Sequence, residues 1–230
     1  MDTNAAQHTL DWYRARLGNI TGSMVGVLMK YPRGKKEGFT DTAMNYLYQL
    51  AAERSMNPAL VEDDALFEDY LRQVDATTRA MRWGTEQEQY ARLLYQRVTG
   101  RRIVEVGSVH HRSIPHFASS PDGFYYEESE RDRGTLEVKC PNQSTYMKYV
   151  HEVHDGLSLL EVKPEYFYQC QAHILCCRSR WTDFVAYCPF QRHPIHIVRI
   201  YPVRKEIEAM KERVREANAI ISSIIKETTS

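Results

Sequence analysis

Ser120-Pro121-Asp122-Gly123 is followed, past a polar loop, by Leu136-Glu137-Val138-Lys139-Cys140-Pro141. Asp122 belongs to a turn, since Asp-Gly is a turn dipeptide. Glu137 and Lys139 stand two apart in a segment that reads as a β-strand. Their side chains therefore leave one face while Val138 points into the core. A turn carboxylate beside a strand carboxylate and an ammonium makes a compact acidic site with one cation. Hard oxygen donors of this kind suit Mg²⁺ or Mn²⁺. An ion held there activates water and neutralises charge on a phosphodiester. Asp-Gly turns and E-x-K pairs also occur as plain turns and solvated strands. Here the charged loop 127–133 leads directly into the strand, as in a hairpin.

The elements that must hold these residues are legible along the chain. Leu10–Leu17 reads as a short amphipathic helix stopped by Gly18. A second helix runs to Leu28, with Thr21 or Ser23 as N-cap. A basic Pro/Gly loop, Tyr31–Gly38, leads to a helix over Asp41–Arg54. Asn57–Ala80 is acidic and less regular, with a helical piece over Ala65–Val74. Thr85–Val98 is a helix ending before Gly100. Strands follow over Ile103–Val109, Pro115–Ala118, Phe124–Glu127 and Thr135–Val138. Ser144–Val153 and Pro164–Cys177 are helical, with Pro164 in the first turn. Trp181–Cys188 and Ile195–Tyr201 pair as strands, and Arg204–Lys226 is a long closing helix. Helices flanking a run of strands indicate a layered α/β domain.

Composition bounds the rest. With 230 residues, 43% hydrophobic and 26% charged, the chain reads as one ordinary globular domain over 1–230. No run approaches the roughly 18 apolar residues of a membrane span. Met1-Asp2-Thr3-Asn4 shows no secretory signal. Five cysteines, with Cys176-Cys177 adjacent, fit reduced thiols and a cytoplasmic setting. Without a C-x-x-C pair, Cys170, Cys176 and Cys177 read as buried small apolar residues. His110-His111 and His193/His196 form no ligand set. Net charge is zero, so any grip on a polyanion must be local. Candidate basic surfaces are Arg14/Arg16, Arg33-Gly34-Lys35-Lys36 and Arg97/Arg101/Arg102.

The P-D…E-x-K pattern resembles the PD-(D/E)xK nuclease superfamily. The wider chain resembles the phage lambda exonuclease family, the YqaJ-type viral recombinases. The resemblance is carried by Trp12-Tyr13-Arg14-Ala15-Arg16-Leu17-Gly18-Asn19-Ile20-Thr21-Gly22-Ser23, Met44-Asn45-Tyr46-Leu47, Trp83-Gly84-Thr85-Glu86-Gln87-Glu88, the two central motifs, and Tyr166-Phe167-Tyr168-Gln169-Cys170-Gln171. Asn57–Ala80 matches poorly, and its role is open.

The resemblance implies a restriction-endonuclease-like α/β core with a mixed central sheet flanked by helices. It implies that Asp122 and Glu137, the Val138 carbonyl and Glu88 bind metal, two Mg²⁺ ions per site with Mn²⁺ as a substitute. Glu86 rivals Glu88 until the register against Trp83-Gly84 is applied. Lys139 would orient the attacking water, and Gln169 would face the scissile region. Tyr166 would line the same face or simply pack. Arg16, Ser23, Ser120 and Gln169 would form a pocket for a terminal 5′-phosphate, where a guanidinium gives forked hydrogen bonds. The implied activity is 5′→3′ digestion of one strand of linear duplex DNA to 5′-mononucleotides. A 3′ overhang would remain for recombination by strand annealing. The implied assembly is a ring-shaped homotrimer working with a single-strand annealing protein, in a bacterial cytoplasm and of phage origin. Two other readings stay open: another nuclease of the superfamily, site-specific or structure-specific, and a noncatalytic protein on a decayed nuclease fold. The intact Asp122, Glu137 and Lys139 set speaks against decay, because lone buried charges cost stability.

Overall fold

The structure is a computed structural model, and residues 6–127 and 132–229 are described. The N-terminal segment Met1–Asn4 and most of the charged loop 127–133 lie outside them. In chain order the first elements are α1 (Leu10–Arg16), β1 (Ile20–Thr21), α2 (Gly22–Leu28) and α3 (Asp41–Arg54). Next come α4 (Pro58–Glu62), α5 (Asp64–Val74) and α6 (Arg79–Thr99), then strands β2 (Val109–His110), β3 (Phe117–Ser119), β4 (Gly123–Tyr126) and β5 (Arg133–Lys139). Helices α7 (Gln143–Glu152), α8 (Gly156–Val162) and α9 (Pro164–Cys177) precede β6 (Trp181–Tyr187), β7 (Ile195–Ile200) and α10 (Arg204–Thr229).

Local chemistry sets most of these boundaries. Thr9, Thr40, Asp63, Thr78 and Asn142 each accept a backbone N–H at the start of a helix. Gly18 and Gly100 take left-handed angles after α1 and α6, at φ 67° and 71°. Arg178 does the same after α9 without being glycine.

Two expectations need correction, and two local features add to them. Helix α6 begins at Arg79 and not at Thr85, because Thr78 caps it and Gly84 is tolerated inside it. Of the expected strand Ile103–Val109, only Val109 is in one, at the start of β2. The Ile103 N–H goes to the side-chain oxygen of Gln96, and only Val104 bridges to Phe124. Thr21 stands at the N-cap of α2 but makes no capping bond; its hydroxyl lies 3.2 Å from that of Ser23. Helix α8, unannounced by the sequence pattern, is built on a capping box between Asp155 and Ser158.

The main sheet runs β4-β5-β6-β7, with β5 and β6 parallel and the outer pairs antiparallel. Helices α7 to α9 form the crossover that parallel neighbours require. A small second sheet runs β1-β3-β2, with β1 and β3 parallel and β2 and β3 antiparallel. The larger core packs α2, α3, α9 and α10 against one face of the main sheet. Ala91 and Tyr95 of α6 cover Leu136, Val138 and Val185 on the other. Strand β5 is thus buried on both sides, and besides Arg133 at its start it carries the charged pair Glu137 and Lys139.

Candidate active site

Strand β5 and the turn before β4 interlock. The Asp122 N–H donates to the Leu136 carbonyl at 2.9 Å, and Gly123 pairs with Leu136. One step further the ladder has no backbone acceptor from β4. The Asp122 carboxylate takes that place, accepting the Val138 N–H at 2.6 Å. Gly123 is required here, since a Cβ would sit 2.3 Å from the side chain of Ile103.

Alternation then turns Glu137 and Lys139 toward α9. Glu137 is 1% exposed. One of its oxygens pairs with the Lys139 ammonium, and the other lies 2.5 Å from His173 Nε2. His173 Nδ1 is in turn 2.6 Å from the Ser119 hydroxyl. The Lys139 ammonium stands 4.9 Å from the ring centre of Tyr166, which also packs on Phe184. Tyr166 therefore both packs and lines the site.

The carboxylates divide electrostatically. Burial raises the Asp122 carboxyl well above its ordinary range, and the charges of Glu137 and Glu88 add to this. Burial and the charge of Glu137 push Glu88 up to about 7. Burial also acts upward on Glu137, but the Lys139 charge and the His173 hydrogen bond outweigh it and hold the group low. Lys139 is desolvated, yet Glu137 and Asp122 raise its proton affinity. Glu88, not the exposed Glu86, is thus within electrostatic reach of the pair. It lines a cavity of about 110 Å³ with Arg92 and Glu105.

The other predicted residues are brought near but not all together. Arg16 Nη1 donates to the Ser120 hydroxyl at 3.0 Å, and its guanidinium lies 4.3 Å from the Trp12 ring. Arg16 also feels the charge of Glu137, although burial is the larger effect and lowers its proton affinity. Arg16 and the exposed Ser23 line one cavity of about 210 Å³. Gln169 is buried on α9, and among the described residues its amide makes no hydrogen bond to the rest of the protein. It does not line the Arg16 cavity.

Sequence patterning gives no role to His173, the residue that fixes Glu137. The signal is present in Gln169-Cys170-Gln171-Ala172-His173, where positions four apart share a helix face. Of the other histidines, His8 lines the Glu88 cavity, His111 Nδ1 accepts backbone N–H groups, and His196 bonds the Val153 carbonyl. The cysteines are free thiols, four of them buried. Among the described residues, no three His, Cys, Asp or Glu side chains form a ready-made metal shell. No helix there is long and apolar enough to cross a membrane.

Residues 11–180 match the YqaJ-like viral recombinase domain. The chain belongs to this family. The YqaJ-like fold is shared with an alkaline exonuclease from Laribacter hongkongensis, at 27% identity over 96% of each chain and a TM-score of 0.75. Its complex with dAMP matches at 28% identity, again over 96% of each chain, with a TM-score of 0.74. A phage-related exonuclease from Haemophilus somnus 129PT shares the fold at 16% identity, covering 91% of this chain and 96% of its own, with a TM-score of 0.63. These likenesses fit a PD-(D/E)xK-like core in this YqaJ-like chain. A search of the curated proteins gives no match.

Proposed function

We propose that the protein is a DNA exonuclease, and more specifically a Mg²⁺-dependent one. It would digest one strand of linear duplex DNA from 5′-phosphorylated ends, 5′→3′, to 5′-mononucleotides. The carrying observation is the carboxylate cluster in which burial first, and then the charge of Glu137, pushes Asp122 and Glu88 toward protonation, with Glu88 adding to the effect on Asp122. Such mutual repulsion is relieved by a cation, and the donors are hard oxygens suited to Mg²⁺ or Mn²⁺. Family membership and the likeness to alkaline exonucleases support the same reading.

Asp122, Glu137, Glu88 and the Val138 carbonyl would hold the metal, two ions on the family pattern. The metal supplies Lewis-acid stabilisation of phosphate charge and a more acidic bound water. The protein's own residues do the positioning. Lys139, fixed by Glu137 and poised over Tyr166, keeps a positive charge where an attacking water is held. Gln169, with unspent amide groups, faces the substrate. Arg16 and Ser120 form a bonded pair that, with Ser23, would take the terminal phosphate. A ring-shaped homotrimer, which retains DNA by topology when net charge is zero, and transfer of the 3′ strand to a single-strand annealing protein complete the proposal.

The test is purified protein with Mg²⁺ on linear duplexes bearing 5′-phosphate or 5′-hydroxyl ends, and on circular duplex. Release of mononucleotides from phosphorylated ends, with circular DNA left intact, is expected. Cleavage of the circle would replace the exonuclease reading with an endonuclease. In the same assay Asp122→Ala, Glu137→Ala and Lys139→Gln each lose hydrolysis by a factor of about 100 or more while remaining folded. Normal rates in a folded Asp122→Ala or Glu137→Ala protein would remove the site assignment.

A further inference from the structure

Helices α4 and α5 belong to the acidic segment for which the sequence motifs provide no role. The structure pins them onto α1 through one arginine. Arg14 Nε donates to the Val61 carbonyl at 2.8 Å, and its Nη2 meets Asp64 at 2.5 Å. Its guanidinium lies 5.1 Å from the ring of Phe67, which is fully buried. Tyr70 stacks on Phe67 at 6.1 Å with the rings 23° apart.

Held this way, α5 presents Tyr70, Leu71 and Val74 to the cavity of about 210 Å³ that Arg16, Thr21 and Ser23 line from α1 and the start of α2. The cavity is therefore two-sided. One wall carries a guanidinium and two hydroxyls. Another is aromatic and aliphatic, with Tyr13 beside the α5 residues. Glu53 also borders it, but its oxygens are engaged by the Gly18 N–H at 2.7 Å and the Gln49 amide at 2.8 Å. A phosphate needs only the polar wall. An apolar aromatic wall next to a phosphate site suits the base and deoxyribose of the nucleotide that carries it, because every base has a π-face for stacking.

We propose that α5 is the nucleoside wall of this pocket, with Tyr70 contacting the 5′-terminal nucleotide of the DNA. The proposal rests on the reading of Arg16 and Ser23 as phosphate contacts. It assigns the 57–80 segment a task in substrate recognition, not in folding alone.

The test compares two 5′-phosphorylated linear duplexes, one with a normal terminal nucleotide and one whose terminal nucleotide is abasic. The wild-type protein should show a KM at least about fivefold higher for the abasic end. Tyr70→Ala should abolish that preference, and Tyr70→Phe, which keeps the ring, should retain it. Circular dichroism of both variants checks that α5 is still folded, and Leu71→Ala provides a second probe of the wall should Tyr70→Ala unfold. Equal KM for the two ends in the wild type, or a preference that survives in folded Tyr70→Ala or Leu71→Ala, overturns the proposal. Failure of the underlying reading looks different. There the wild type would not distinguish 5′-phosphate from 5′-hydroxyl ends, and Arg16→Ala would change nothing. A retained phosphate preference without a base preference sinks the nucleoside wall alone.

Discussion

Replacing His173 with alanine strips the support from one of the most buried charges among the described residues, Glu137. The ring touches Glu137 Oε2 at 2.5 Å and the Ser119 hydroxyl at 2.6 Å, and Glu137 and Ser119 are 1% and 0% exposed. An ionised carboxylate only accepts, so Nε2 donates to Glu137. Stranding a buried polar group costs about 1–3 kcal/mol, and more for a charged one, so losing both contacts costs about 2–6 kcal/mol. His173→Gln keeps an N–H donor for Glu137 and should lose about 1–2 kcal/mol. Ser119→Ala removes one hydroxyl contact and should fall between the parent and His173→Ala. Urea unfolding followed by circular dichroism reads these differences as midpoint shifts at constant slope. Hydrolysis should respond separately. A Glu137 freed to follow Lys139 alone is misplaced, and a small misplacement costs up to about 100-fold in rate. Single-turnover cleavage at a temperature where both variants are folded should therefore fall in His173→Ala and recover partly in His173→Gln. A His173→Ala protein within about 0.5 kcal/mol of the parent, with unchanged cleavage, would show that the contact positions nothing.

Three further outcomes follow from the same structure. Burial and then the Glu137 charge raise Glu88 to about 7, so the metal-free protein gains stability from its proton at low pH and loses it as pH rises through about 7. The thermal midpoint in chelator should decline over that window, Glu88→Gln should flatten the decline, and an unchanged slope would remove Glu88 as its source. Asp183 accepts from the Tyr95 and Tyr125 hydroxyls at 2.6 and 2.5 Å and pairs with Arg199 at 3.0 Å. Asp183→Ala should cost about 3–5 kcal/mol in chemical unfolding without touching the acidic site, and a loss below about 1 kcal/mol would mark the network as incidental. Light scattering after size exclusion should give about three times the chain mass of 26.9 kDa, whereas a monomer at micromolar concentration rules out the ring.

The parts of this site that could be read from sequence are those fixed by local periodicity. Glu137 and Lys139 share a face because strand side chains alternate, and the burial of Leu136 and Val138 on the opposite face shows the same alternation. Helices α3 and α9 likewise have the limits their apolar spacing announces, α9 opening on Pro164 in its first turn. What escaped depends on contacts between distant segments. Ile103–Val109 has strand-like residues, but Gln96 from α6 takes the Ile103 N–H and leaves no ladder before Val109. His173 looks like one more residue of an apolar helix until β5 is laid against it. The place of α5 beside Arg16 depends on an ion pair between Arg14 and Asp64, fifty positions apart in the chain.

The division among the three carboxyls has a consequence for how the proposed metal would be taken up. Lys139 and His173 together spend their charge and hydrogen bonds on Glu137, which stays ionised inside the sheet layer. Asp122 and Glu88 receive little of that help. Asp122 has one backbone N–H from Val138, and for Glu88 burial and the Glu137 charge outweigh the charges of Lys139 and Arg92. Without a cation those two groups favour their protons. Binding a divalent ion must displace the protons, so affinity increases with pH until both groups are ionised. Environments that push paired acids apart commonly set which group is ready and which must be prepared. Glu137 would, on the proposed reading, be the ready ligand, and Asp122 and Glu88 the ones that pH prepares. On the proposed reading, metal-dependent hydrolysis should therefore rise from neutral to mildly alkaline pH through metal occupancy. Saturating Mg²⁺ should flatten that rise, whereas a titrating water nucleophile alone would leave it unchanged.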